Sequence, residues 1–172
     1  MLIVDDEEMT RQGLVRLLAG SQLGLEVVGE ADDGATALPL LEKLRPDILF
    51  TDVKMARMDG LALAKQARER YPDLEIVFLS GYSEVDYVRS AMRVGAFDYI
   101  LKPVNFEELE QCFRRVIQRL EEKRRSRENM QKLQDFLLFA RVFPTGSFPF
   151  ISLSSSSASR KDKIGSRKIF FH

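Results

Sequence analysis

The chain alternates strictly between short apolar runs and longer amphipathic stretches, and that alternation limits the fold more than any other feature. Strand-like runs fall at Leu2 to Asp5, Leu25 to Glu30, Ile48 to Asp52, Leu74 to Leu79 and Asp98 to Leu101. Helical patterns lie between them at Met9 to Leu18, Ala35 to Leu44, Leu61 to Arg70 and Val85 to Val94, and a fifth begins at Phe106. A strand buried on both faces reads as a continuous apolar run, so this order predicts a doubly wound α/β fold, a five-stranded parallel sheet with helices on both sides. Turn residues punctuate the joins at Gly24, Asp32-Asp33-Gly34, Pro46-Asp47, Met58-Asp59-Gly60, Tyr71-Pro72-Asp73 and Gly95. Pro39 is the exception, since it falls inside the second helical pattern, where it removes one hydrogen bond and crowds the preceding turn.

Asp5 and Asp6 follow the first apolar run and Asp52 closes the third. In an open α/β sheet the chemistry gathers just beyond the carboxyl ends of the strands, so three carboxylates from two strand ends can meet. Carboxylates this close repel and resist joint ionisation unless a cation sits among them, and a hard, oxygen-seeking ion such as Mg²⁺ suits the site. Ser80 and Lys102 follow the fourth and fifth runs and land on the same sheet edge. Such a set suits capture of a phosphoryl group, with Asp52 as nucleophile, a metal neutralising oxygens, and Lys102 and Ser80 holding the remainder.

Composition narrows the alternatives. A chain of 172 residues with 45% apolar content builds one ordinary domain and an extension. Its net charge of zero gives no global field toward nucleic acid. The single cysteine, Cys112, excludes a disulfide framework or zinc cluster and reads as a small buried apolar residue. No stretch approaches the ~20 apolar residues of a membrane span, and the first residues lack the basic start and long apolar segment of a signal peptide. The expectation is a soluble, cytoplasmic protein without a membrane partner.

The last helical pattern runs on from Phe106. Leu109, Phe113, Val116 and Leu120 keep a three-four spacing that Met130 and Leu137 resume after Lys123 and Arg127 interrupt it. Residues 121–140 therefore read either as a solvated helical linker or as a weak parallel dimer seam. Past Arg141 the pattern stops. Pro144, Gly146, Pro149, the serine run Ser154 to Ser157 and a basic end predict a disordered or non-native tail over residues 141–172, including one from a shifted reading frame.

Four motifs in order, Val4-Asp5-Asp6-Glu7, Thr51-Asp52-Val53-Lys54-Met55 with Met58-Asp59-Gly60, Leu79-Ser80-Gly81-Tyr82, and Gly95-Ala96-Phe97-Asp98-Tyr99-Ile100-Leu101-Lys102-Pro103, resemble the receiver domain of two-component response regulators. The likeness runs from residue 1 to about 120 and, at Ser80-Gly81-Tyr82, is nearest to regulators that carry an arabinose-regulator type helix-turn-helix. It implies a flavodoxin-like sheet of order 2-1-3-4-5. It further implies that Asp52 accepts a phosphoryl group from a phosphohistidine on a sensor histidine kinase and that the domain then switches conformation or dimerisation within a transcriptional regulator. Under it, Asp6 and Asp52 ligate Mg²⁺ directly, Asp5 through water and Lys54 through its backbone carbonyl. Ser80 bonds a phosphoryl oxygen, Lys102 pairs with the phosphate, Tyr99 is the aromatic switch, and the Lys102-Pro103 bond is cis.

The chain departs from that pattern in lacking the few residues that usually precede the first strand, in Ala56 where a proline often follows Met55, and in Pro39. No helix-turn-helix is readable after Arg141, so DNA is a partner only if an output domain is restored. The competing enzymatic reading is an aspartate-nucleophile, Mg²⁺-dependent phosphohydrolase, which looks for a second acid two residues after the nucleophile, where this chain has Lys54. A cofactor-binding flavodoxin relative lacks support, because no phosphate-cradling loop replaces the acids after the first strand. Asp5 or Asp6 taken alone reads as an N-cap for the first helix, and Asp59 as a turn or cap residue before the third.

Overall fold

A computed structural model describes residues 1–81 and 85–142. Tyr82 of the third motif and the tail from residue 143 lie outside the described residues. The chain divides into two compact units, Met1–Met130 and Gln131–His172. The sheet and the acidic site belong to the first.

Five strands, β1 (Leu2–Val4), β2 (Gly29–Ala31), β3 (Ile48–Asp52), β4 (Glu75–Ser80) and β5 (Asp98–Leu101), alternate with helices α1 (Glu8–Ala19), α2 (Gly34–Leu44), α3 (Gly60–Arg70), α4 (Val85–Arg93) and α5 (Phe106–Val142). The sheet is parallel throughout, with order β2-β1-β3-β4-β5. Alternate side chains of the central strands feed two cores. Leu2, Val4, Leu49, Ile76 and Phe78 meet α2, α3 and α4 through Ala37, Leu41, Leu63, Ala64, Ala67 and Ala91. Ile3, Phe50, Val77, Leu79 and Ile100 meet α1 and α5 through Leu14, Leu18, Leu109, Phe113 and Val116. Phe50 and Phe113 pack edge to face with ring centroids 5.3 Å apart, which fixes α5 over β3. Cys112 is buried there as expected, and burial, then the neighbouring Asp98, pushes its thiol up to about 12.

Local chemistry explains most boundaries. Asp33 caps α2 by accepting from the Thr36 amide at 2.8 Å, while the Thr36 hydroxyl returns to the Asp33 amide, a reciprocal capping box. Asp59 caps α3 through the Ala62 amide at 2.7 Å, as its position in the sequence predicts. At α1 the cap position falls to Glu7, which makes no side-chain cap bond, so neither Asp5 nor Asp6 serves there. The second strand is shorter than its apolar run: β2 pairs only from Gly29 opposite Leu2, and residues 25–28 lie ahead of the ladder, where the Val28 amide still reaches the Met1 carbonyl at 2.9 Å. Pro39 stays inside α2, on its exposed side.

The fifth helix continues unbroken to Val142, and every described side chain from Arg124 to Arg141 is exposed. Lys123 and Arg127, which interrupt the apolar register, do not face solvent alone. Lys123 pairs with Glu75 at 2.6 Å and Arg127 with Asp73, both within this chain.

Candidate functional site

The strand register brings the predicted residues to one sheet edge. Val4 pairs with Thr51, Asp52 with Leu79 and Ser80 with Leu101, so Asp5, Asp52, Ser80 and Lys102 end four adjacent strands within a residue of one level. Asp5 and Asp52 are buried, at 1% and 7% exposure, and Asp6 is exposed beside them. One carboxylate oxygen from each of Asp5, Asp6 and Asp52 lies within 4.8 Å of the others. Hard oxygen donors at that spacing, two sheltered and one open to solvent, fit a divalent cation of the Mg²⁺ type.

Lys102 stands at the centre of the cluster. Its ammonium donates to Asp52 Oδ2 at 2.7 Å and to Asp5 Oδ2 at 2.8 Å, with Glu7 at 3.9 Å. Burial works against that ammonium, but the hydrogen bonds and charges of Asp5 and Asp52 prevail and hold it above the ordinary lysine value. Burial has the opposite outcome at Asp5, whose carboxyl is pushed up in spite of hydrogen bonds from Lys102 and the Glu7 amide, with the Asp52 charge adding to the rise. Lys102 therefore offsets only part of the penalty that burial puts on the Asp5 carboxylate.

Asp52 is gripped at both oxygens. Oδ1 accepts from the Lys54 amide at 3.2 Å and Oδ2 from Lys102. The Lys54 side chain lies over the Tyr87 ring, 4.9 Å from its centroid. Ser80 is fully buried at the end of β4, and its carbonyl accepts from the Lys102 amide at 2.8 Å. Tyr99, opposite Phe78 in the register, is half-buried and packs on it with centroids 6.4 Å apart. The Lys102-Pro103 bond is cis, as expected.

Two further residues support the site, Arg11 outside every motif and Gly60 at the end of the second. Arg11 donates to the Asp5 carbonyl at 2.6 Å and so ties the first turn of α1 to the acidic loop. It follows no strand, so nothing in its sequence position marks it. Gly60 is hidden in what reads as a simple turn: its amide bonds the Val53 carbonyl at 2.9 Å, and a Cβ there would lie 1.9 Å from the Asp52 carbonyl oxygen. Only glycine lets α3 begin so close to the backbone of Asp52.

Comparison with known proteins agrees with this geometry. Residues 1–114 match the family described as the response regulator receiver domain. The DNA-binding transcriptional regulator NtrC of Escherichia coli is 37% identical over 125 residues, which cover 73% of this chain and 26% of that protein. The chain thus spans about a quarter of that relative's length. Among solved structures, the receiver domain of AraT, a response regulator from Geobacillus stearothermophilus, superimposes with a TM-score of 0.67 at 39% identity, covering 72% of this chain and 95% of that one. A CheX-CheY complex with BeF3 and Mg²⁺ from Borrelia burgdorferi matches with a TM-score of 0.63 at 25% identity, over 67% of this chain and 87% of that one.

Proposed function

The chain belongs to the response regulator receiver family, and on that footing we propose that Asp52 is its phosphoacceptor, taking a phosphoryl group from a phosphohistidine of a sensor histidine kinase. The observation that carries this reading is the placement of Asp52, buried at a strand end, hydrogen-bonded at both oxygens and within 4.8 Å of Asp5 and Asp6. An Asp52 oxygen attacks phosphorus, the P–N bond of the donor breaks, and the leaving imidazole recovers a proton. Lys102, already on Asp52 Oδ2, offsets the added negative charge, and the Ser80 hydroxyl donates to a phosphoryl oxygen. Asp5, Asp6, Asp52 and the Lys54 carbonyl are the ligands proposed for Mg²⁺, which when bound supplies charge neutralisation at the phosphoryl oxygens. The Mg²⁺ named in the Borrelia complex supports the choice of ion.

In this reading the chain is a phosphoacceptor signalling domain rather than a turnover enzyme. Lys54, where a phosphohydrolase would place its second acid, puts an ammonium over Tyr87 instead. Residues 1–120 form the receiver, 121–140 the helical linker and 141–172 a tail outside the switch. Tyr99, against Phe78, is the aromatic that responds to phosphorylation. A second copy of the chain is the proposed partner of the exposed Met130, Leu133 and Leu137, which repeat at three-four spacing. DNA enters through an output domain such as the likeness to NtrC implies. Among the described residues no helix is long and apolar enough to cross a membrane, in keeping with a cytoplasmic setting.

The test is incubation with acetyl phosphate and Mg²⁺ followed by intact mass. Wild type gains one phosphoryl group and Asp52→Asn gains none. Equal uptake by the two overturns the assignment.

A further inference from the structure

We propose that a ladder of ion pairs straps α5 to the receiver two turns beyond its last apolar contact, with the buried Glu75 as the residue that sets the rotational phase of the helix. The apolar face of α5 ends early. Leu109, Cys112, Phe113 and Val116 are buried, Leu120 is partly so, and from Glu121 to Arg141 every described side chain except Lys123 is exposed. A helix without a buried face has little stability of its own.

Beyond Leu120, charged groups take over the side of α5 that meets the receiver. Glu75, the first residue of β4, is 2% exposed, accepts from Arg119 Nε at 2.9 Å and forms an ion pair with Lys123 Nζ at 2.6 Å. Lys123 also donates to the Asp73 carbonyl at 3.3 Å, and Arg127 pairs with the Asp73 carboxylate. One turn before Arg119, Arg115 pairs with Asp98, the first residue of β5. Cations at 115, 119, 123 and 127 thus form one i, i+4 row and meet three acids at or just before the starts of β4 and β5.

These pairs differ from Arg114 with Glu110 and Arg124 with Glu128, which stay within the helix and are the ordinary furniture of a solvated face. The exposed Arg127–Asp73 pair contributes little alone. Glu75 is different, because a buried carboxylate left without its cations is strongly unfavourable, so its burial requires Arg119 and Lys123 to stay where they are. If the helix rotated by one residue, both would leave.

The strap joins α5 to the starts of the two strands whose far ends carry Ser80 and Lys102. Residues 119–127 consequently move with β4 and β5 as part of the receiver body.

Hydrogen exchange on the full chain tests it, comparing wild type with Glu75→Gln and with the double variant Lys123→Gln/Arg127→Gln. Amides of residues 119–127 are expected to exchange roughly tenfold faster in both variants, while those of 109–116 keep wild-type protection. Wild-type protection across 119–127 in the double variant, whose substitutions lie at the helix surface, overturns the strap. If Glu75→Gln does not fold, the double variant decides alone.

Discussion

Gly60→Ala isolates how closely Asp52, the proposed phosphoacceptor, depends on its backbone surroundings. The added Cβ would sit 1.9 Å from the Asp52 carbonyl oxygen, 3.0 Å from the Asp52 carbonyl carbon and 3.1 Å from Thr51 Oγ1. Real Cβ contacts do not fall below 3.0 Å, so the first must open by at least 1.1 Å. Neither side is a flexible side chain: Asp52 is held in β3 by its neighbours β1 and β4, and Gly60 is held by its bond to Val53. Overpacking against fixed backbone costs about 3 kcal/mol, the upper part of the usual range, which for a domain of this size lowers Tm by roughly 10 °C. A reacting group displaced by about 1 Å loses on the order of 10²-fold in rate. Acetyl phosphate uptake, followed by mass at a temperature where the variant remains folded, should fall by about that factor. Gly13→Ala is the control, because a Cβ there meets nothing within 4 Å inside α1, and it should raise stability by about 0.5–1 kcal/mol with uptake unchanged. A Gly60→Ala protein with wild-type Tm and wild-type uptake would show that the backbone of Asp52 is not confined in this way.

The acidic cluster and the second helix each give a further expected outcome. Asp5 is raised above its ordinary value of 3.8, so above that pH the folded chain holds this proton more tightly than the unfolded chain and the group's contribution to stability falls as pH rises through the folded value. Metal-free Asp5→Asn should therefore melt above metal-free wild type at neutral pH, and Mg²⁺ should raise wild type far more than the variant; melting curves with chelator and with Mg²⁺ check both, and an equal Mg²⁺ response would remove Asp5 from the ligand set. Pro39→Ala should gain about 1–2 kcal/mol in urea denaturation by restoring a helical N–H on the exposed side of α2, and no gain would mean that the helix has already absorbed the proline.

The sheet and the acid site were legible because both depend on local pattern. Ile48 to Asp52 and Asp98 to Leu101 are strands to the residue, and the acids, Ser80 and Lys102 end strands that parallel order must align. Where the answer depends on a partner strand or helix, local pattern fails. Leu25 to Val28 are apolar, yet the ladder with β1 begins only at Gly29. Glu75 looks like a polar position in an apolar run, and Lys123 and Arg127 look like faults in a dimer seam; Lys123 takes its meaning from Glu75 and Arg127 from Asp73, each some fifty residues away in sequence. Arg11 acts through a backbone carbonyl, which leaves no mark on side-chain patterning, and Gly60 is legible as a turn residue without showing that it lies against the Asp52 carbonyl.

Trapping the acyl phosphate itself decides whether Asp52 is the phosphoacceptor. Wild-type chain treated with acetyl phosphate and Mg²⁺, reduced with borohydride and sequenced by tandem mass spectrometry, should carry homoserine at position 52, and none when Mg²⁺ is chelated. Homoserine at position 5 or 6 instead, or its absence from all three acids despite phosphate uptake, would place the phosphoryl group elsewhere and overturn the assignment.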